Sequence, residues 1–520
     1  MFKRLTLLLL LALSSQFLLS QTAGIRALYN TVKNTSYETK ADSMTNAFIE
    51  SFMIKSKGYF NIKYQTYADN AYWQQAPAID VVIYNYQRNK GINTTLASTY
   101  LKYIKYWYKN KSNNYQGAAA ASSTTPNTST GYKMFENRFT DDMCWVTLAL
   151  LHVGEATGTA AYSKIASQVF DNYIIKRAHY TEDSTAIWLP WNTDAGSGPN
   201  ACTMSPATLI AAKLYQKYGT EKYLDYAKKL YKYTAKNLVE SDGRVEEPPL
   251  TYTQGTFAEA CRILFHITDE ATSIKNKYKT LAYTYLNYAF TSGRCTNTQG
   301  FLRDEGHDGN QSIFKAILIP YAVNYVLDES MPQTSNQPYR RNILNLILKN
   351  TNKMWQNLDR SRYPLVFCNY DWTSPYTGAD SDAAMGAMCS GSSLMENTAR
   401  MCVAIVDRYN LGSLYTQCSK LQIEQGHEED AEWTPFYTAM NNAKDILDNP
   451  DNYTHAQFLQ AIESLETAYQ DANDYATAIE SIHNLQFTIH NGTYNLSGQK
   501  VDGKLRKGIY IMNGRKVLVR

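Results

Sequence analysis

The chain has 520 residues, with 51 Lys and Arg against 47 Asp and Glu and a formal net charge of +4. A balance this even gives no basis for binding nucleic acid or an anionic membrane surface. The length allows one large domain with small appendages, and 42 Tyr with 8 Trp is an excess that suits both helical cores and sugar-stacking surfaces.

Residues 1–20 read as a signal peptide. Lys3 and Arg4 form its basic start, Leu5–Leu13 its apolar stretch, and Ser20 offers a small residue for cleavage. That stretch is too short for a membrane span, and no other stretch qualifies. The first cysteine is Cys144, so no lipid-anchor cysteine follows the leader. The expectation is a secreted or cell-surface protein. The cysteines lack any Cys-x-x-Cys spacing, so no metal site is expected, and Cys144, Cys202, Cys261 and Cys402 fall in helical patterns as small buried residues.

Between about 40 and 409 the apolar residues recur at three and four. The spacing predicts twelve helices, over 40–56, 71–90, 93–111, 139–157, 159–178, 202–218, 220–240, 254–270, 271–292, 310–330, 337–358 and 389–409. Tight turns such as Asn89-Lys90-Gly91 and Tyr218-Gly219-Thr220 alternate with long polar connections at 57–70, 112–138, 179–201, 241–253, 293–309 and 359–388. Short connections make antiparallel helical hairpins. Six hairpins with every long connection at one end describe an all-α (α/α)6 barrel, in which the helix after each long connection is the inner one. Tyr72-Trp73, Asp141-Asp142, Asn200, Tyr252-Thr253-Gln254-Gly255, Asn310-Gln311 and Ser390 then fall at one rim.

The stretch that carries chemistry is Asn137-Arg138-Phe139-Thr140-Asp141-Asp142-Met143-Cys144-Trp145. Thr140 reads as an N-cap, with two acids in the first turn. The pair has two readings. It is a helix-start signal, or it is a catalytic pair, since retaining glycosidases place two carboxyl groups roughly 5–5.5 Å apart. Other features read as structural. The acidic run 303–310 fits no EF-hand and reads as a rim loop. His152 reads as a core histidine, Ser390 as a helix cap and Trp145 as a packed ring. Trp188 and Trp191 sit in a long rim loop, where an exposed indole suits a sugar face. No phosphate loop or dinucleotide fingerprint is present.

After 410 the pattern changes. Two amphipathic helices, Pro435–Leu447 and Thr454–Tyr475, precede a short β unit whose strands Ile509–Met512 and Lys516–Val519 flank Asn513-Gly514, a type I′ hairpin signal. The expected organisation is a leader at 1–20, a barrel at 21–410, a helical module at 411–480 and a β unit at 481–520.

Over about 40–410 the chain resembles glycoside hydrolase family 76, bacterial endo-α-1,6-mannanases with relatives in fungal wall remodelling. The resemblance rests on Thr140-Asp141-Asp142-Met143-Cys144-Trp145, supported by Tyr72-Trp73-Gln74-Gln75-Ala76, Asn200-Ala201-Cys202, Tyr252-Thr253-Gln254-Gly255 and Ser312-Ile313-Phe314-Lys315. Thr253 stands where the family usually has Asn, Gln311-Ser312 where it has Lys-Gly, and Cys144 where a bulky residue is common. The resemblance implies an (α/α)6 fold and retaining hydrolysis of α-mannan without a cofactor. It makes Asp141 the nucleophile and Asp142 the general acid/base, with Trp73, Asn200, Tyr252 and Gln254 as subsite residues. The tail has its own look-alikes. Residues 433–475 resemble FIVAR-type helical repeats, and Tyr494–Val501 through Lys507–Ile511 resembles a C-terminal sorting domain of secreted Bacteroidetes proteins, which implies contact with secretion machinery.

Overall fold

The computed structural model describes residues 24–65, 72–109, 135–246, 248–421, 431–489, 493–495, 500–501, 504–512 and 515–519. The leader at 1–20 and the Asn513-Gly514 turn lie outside them. The chain divides into two compact units, the first ending at Val406 and the second beginning at Asp407.

The first unit is an (α/α)6 barrel. A short helix at 24–32 (α1), which the sequence pattern did not suggest, precedes α2 (Glu38–Phe52). The barrel then runs through α3 (Gln75–Asn89), α4 (Thr94–Lys109), α5 (Thr140–Thr157), α6 (Ala160–Val169), α7 (Ala201–Tyr218), α8 (Glu221–Asn237), α9 (Thr251–Ile267), α10 (Thr272–Thr291), α11 (Phe314–Leu327), α12 (Tyr339–Gln356) and α13 (Met385–Cys418). Burial separates inner from outer helices. α11 buries every residue except Asn324. α4 buries only Ala97, Tyr100, Ile104 and Trp107, a single stripe at helical spacing. Inner helices α3, α5, α7, α9 and α11 pack against one another in that order. α13 closes the ring: Ser393 Oγ donates to Ala316 O at 2.8 Å, and Glu396 accepts from Arg88 Nε at 2.6 Å.

Several boundaries depart from the periodicity, each for a local reason. The first barrel helix stops at Phe52, because Met53–Ile54 pairs with Tyr59–Phe60 as a small hairpin, β1–β2. The helix expected over 159–178 is α-helical only to Val169. It passes through a π turn at Phe170–Ile174 and a 3₁₀ turn at Ile175–Arg177. A short hairpin of β3 (His179–Tyr180) and β4 (Ile187–Trp188) follows, with His179 opposite Trp188, their rings stacked at 4.2 Å. Ser390 is not a cap. It lies inside α13, and its hydroxyl donates to Ser312 O at 2.8 Å. His152 is buried and pairs with Asp80 at 3.0 Å.

Glycine permits one close approach that matters to the rim. A Cβ on Gly255 would stand 2.8 Å from Leu318 Cα, so α9 and α11 touch backbone to backbone there. At the other end, the buried Glu396 carboxylate gathers Arg88, Asn85 and Thr45 from α3 and α2.

In the second unit, α14 (Thr434–Asp448) and α15 (His455–Ile489) pack through Trp433, Phe436, Ala443, Phe458 and Leu465. A three-stranded antiparallel sheet holds β5 (Thr493–Asn495), β6 (Gly508–Met512) and β7 (Arg515–Val519), with Ile509 opposite Leu518. Among the described residues no helix is long and apolar enough to cross a membrane.

Candidate active site

The starts of the inner helices converge on one cleft of about 780 Å³. Its lining includes Trp73 and Gln74 from before α3, Asp141, Asp142 and Trp145 from α5, Asn200 from the cap of α7 and Cys202 from its first turn, Tyr252 from α9, Asn310 from before α11 and Phe314 from its start. Helix N-termini carry partial positive charge, so this end of the barrel favours carboxylates.

The acid pair is built by the segment before it. Phe139, not Thr140, is the N-cap residue of α5, and its side chain makes no capping bond. Asn137 supplies the turn instead: its Oδ1 accepts from Phe139 N–H at 2.9 Å, which leaves its amide to donate to Asp142 Oδ2 at 3.2 Å. The segment is pinned from the β4–α7 loop. Thr140 N–H donates to Trp191 O at 2.8 Å, and Phe139 bridges Asn192. Arg177 pins it from the other side, donating to the carbonyls of Asn137 and Arg138.

The two carboxyl groups have unequal surroundings. Asp141 accepts from Trp191 Nε1 at 3.1 Å, from the Cys202 thiol at 3.3 Å and from the N–H of Asp142 at 3.0 Å. Asp142 has one side-chain donor, Asn137. Burial raises both pKa values, because ionisation in a dry site is unfavourable. For Asp141, three donors oppose burial and the value is raised to about 6. For Asp142, burial and then the neighbouring Asp141 charge push it well above the usual carboxylate range. The arrangement therefore keeps Asp141 as the more anionic member and Asp142 as the proton carrier. The two titrate as a pair.

The floor is aromatic. Tyr252 stacks on Phe314 at 4.1 Å, and Trp145 lies between Tyr252 at 5.7 Å and Trp73 at 6.2 Å. Trp73 is 8% exposed and its Nε1 donates to Asn310 Oδ1 at 2.8 Å, so it braces the floor more than it offers a free face. Trp191 is the open indole, 42% exposed and packed against Phe139 at 5.0 Å.

The structure brings Asp141, Asp142, Trp73, Asn200 and Tyr252 together, and it does not bring Gln254. Gln254 is fully buried. Its amide, turned to satisfy both ends, donates to Gly243 O at 3.2 Å and accepts from Val245 N–H at 3.1 Å. Its position in the first turn of α9 points it at the neighbouring loop. Asn200 spends its Oδ1 on capping Thr203 N–H at 3.1 Å. Cys202 is half-buried in the cleft wall, not a core thiol, and all eight cysteines are free. Sequence reasoning placed Asn310 at the rim without a role, and did not single out Asn137, Phe314 or Arg177 as site residues. Asn137 had a readable signal, an Asx residue two positions before the cap; the others are placed by tertiary contacts. The 303–310 run has structural partners: Glu305 accepts from Thr251 N–H at 2.8 Å, and Asp308 accepts from Gln311 N–H at 2.6 Å. Among the described residues no group of His, Cys, Asp and Glu could hold a metal ion.

Known proteins bear on this geometry. The family model described as glycosyl hydrolase family 76 matches residues 36–404. The fold is shared with an inactive variant of an α-1,6-mannanase of Salegentibacter sp., replaced at two consecutive aspartates and in complex with α-1,6-mannotetrose. It is 21% identical, with 71% of this chain and 100% of that chain covered at a TM-score of 0.58. The unaltered Salegentibacter α-1,6-mannanase is 22% identical, with 70% and 99% covered at a TM-score of 0.57. A glycoside hydrolase family 76 mannosidase of Bacteroides thetaiotaomicron is 17% identical, with 72% and 99% covered at a TM-score of 0.53. No curated protein matches the chain. With the family model spanning the whole barrel and the consecutive acids at its cleft, the chain belongs to glycosyl hydrolase family 76.

Proposed function

We propose that this glycosidase is a secreted, retaining, endo-acting hydrolase of α-1,6-mannosidic linkages. The observation that carries the reading is the unequal hydrogen bonding of two consecutive carboxyl groups in one cleft. Asp141, with three donors, is suited to attack the anomeric carbon. Asp142, kept protonated by burial and its neighbour, is suited to protonate the leaving oxygen. In the first step the Asp141 carboxylate bonds to the anomeric carbon as the glycosidic bond breaks and Asp142 gives its proton to the departing sugar. In the second, Asp142 takes a proton from water as that water displaces Asp141. Two inversions leave the α configuration. No cofactor enters either step.

The substrate class is supported by the relatives, which include an α-1,6-mannanase with a bound α-1,6-mannooligosaccharide. An open cleft floored by Trp73, Trp145, Tyr252 and Phe314 and walled by Trp191 suits a sugar chain passing across it. Export rests on the leader at 1–20. The second unit is proposed as a surface or sorting appendage, and deleting 485–520 should change export in the native host and leave turnover intact.

The experiment is a pair of alanine variants on an aryl α-mannoside with an activated leaving group. Asp142→Ala should still form the glycosyl-enzyme and, with azide, release the α-glycosyl azide. Asp141→Ala should lose roughly 10² or more in turnover and give no α-azide. Rescue with retention in Asp141→Ala would reverse the roles. Full activity in either variant would remove the acid pair from the mechanism.

A further inference from the structure

Arg177 has a position that its own helix does not explain. The outer helix α6 reaches it through a π turn followed by a 3₁₀ turn, whereas the outer helices α8, α10 and α12 end as α-helix. π turns are rare and are frequent at functional sites. From there the guanidinium reaches the back of the acid pair. Nη2 donates to Asn137 O at 2.6 Å, and Nη1 donates to Arg138 O at 3.0 Å and to Thr140 Oγ1 at 3.1 Å.

All three acceptors are neutral. Half-burying a guanidinium without a bonded carboxylate is unfavourable, and it lowers the Arg177 pKa from the usual range. Glu136 attracts it only at longer range. The charge therefore has another reason to be there. Tyr72 and Cys144 mark the place: burial raises both of their pKa values, Asp142 adds to the rise in Tyr72 and both acids to that in Cys144, and Arg177 opposes it in each. The half-buried cation and the acid pair thus act on the same side chains, and the 137–140 segment bonds to Arg177 and, through Asn137, to Asp142.

We infer that Arg177 is the positioning residue for the acid/base carboxylate. Its fork fixes both carbonyls of the Asn137-Arg138 dipeptide, and that fixes the Asn137 amide on Asp142. A planar fork holds its acceptors from two rigidly spaced nitrogens, whereas an ammonium is a single point donor on a flexible stem. The inference rests on the reading of Asp142 as acid/base.

The test uses the full chain and the variants Arg177→Ala, Arg177→Lys, Asn137→Ala and Asp142→Ala, each checked for fold by circular dichroism and thermal melting. Two substrates are compared. An α-1,6-mannooligosaccharide needs its leaving group protonated, and a dinitrophenyl α-mannoside does not. Arg177→Ala should lose roughly 10²-fold on the oligosaccharide, while its first-turnover release of dinitrophenol falls less than about tenfold. Millimolar guanidinium should recover part of the loss, and Arg177→Lys should fall between. A folded Arg177→Ala with wild-type turnover, or with equal losses on both substrates and no guanidinium rescue, would overturn the inference. If Arg177→Ala does not fold, Asn137→Ala decides: the same split between substrates supports the chain of contacts, and no split refutes it. Asp142→Ala is the separate control. Without a split in that variant, the acid/base reading itself fails, whatever Arg177 does.

Discussion

Asp141→Asn should change stability in opposite directions on the two sides of pH 5. Asp141 ionises near 3.8 in the unfolded chain and at about 6 in the folded one. A carboxyl group whose folded pKa is raised binds more protons in the native state between those values. Its destabilising effect is absent below about 4, grows as pH rises through the window and is complete above about 6. An elevation of that size corresponds to about 3 kcal/mol. Asparagine removes the charge but keeps one acceptor oxygen: at the Oδ2 position it still serves the Trp191 indole and the Cys202 thiol and loses the Asp142 N–H. The lost bond costs on the order of 1 kcal/mol. The net expectation is a gain of about 1–2 kcal/mol at pH 8 and a loss of about 1 kcal/mol at pH 3.5. Differential scanning calorimetry of both proteins at the two pH values reads the sign directly. A variant less stable than wild type at pH 8 would refute the argument that burial opposes the Asp141 charge.

Three further outcomes follow from packing and contacts. Gly255→Ala must push against the Leu318 backbone 2.8 Å away, and denaturant unfolding should show a loss of about 1–3 kcal/mol. Glu396→Ala takes from the buried Arg88 one of its two carboxylate partners, both at 2.6 Å, and leaves Asp42; unfolding should show a loss of about 3 kcal/mol. Trp191→Phe keeps a ring on Phe139 but removes the donor to Asp141; kcat should fall roughly tenfold with KM little changed, whereas Trp191→Ala should raise KM as well.

The barrel was readable because its hairpins repeat one physical pattern. An inner helix is apolar nearly all round, as α11 is, while an outer helix shows a single stripe, as α4 does. Alternating loop lengths then fix which ends share the rim. The acid pair was readable because a helix start displays its acids in sequence. What stayed hidden depends on contacts that period and spacing do not encode. Gln254 sits in the right turn, but its amide is taken by the 243–245 loop. Ser390 resembles a cap until the helix is seen to begin at Met385. Asn310 joins the site because it accepts from both Trp73 and Gln74, more than two hundred residues away in the chain. The π turn before Arg177 leaves no mark on a pattern read at 3.6 residues per turn.

The most direct measurement is proton NMR of the first products released from linear α-1,6-mannan, recorded before mutarotation. Consecutive residues on one helix start do not readily spread to the roughly 6.5–9.5 Å that seats a water between acid and base. With Asp141 attacking and Asp142 moving the proton, the new reducing ends should appear as the α-anomer, on oligosaccharides of mixed length. A β-anomer appearing first would contradict double displacement by this pair, and no release from α-1,6-mannan alongside cleavage of another mannan would contradict the assigned linkage.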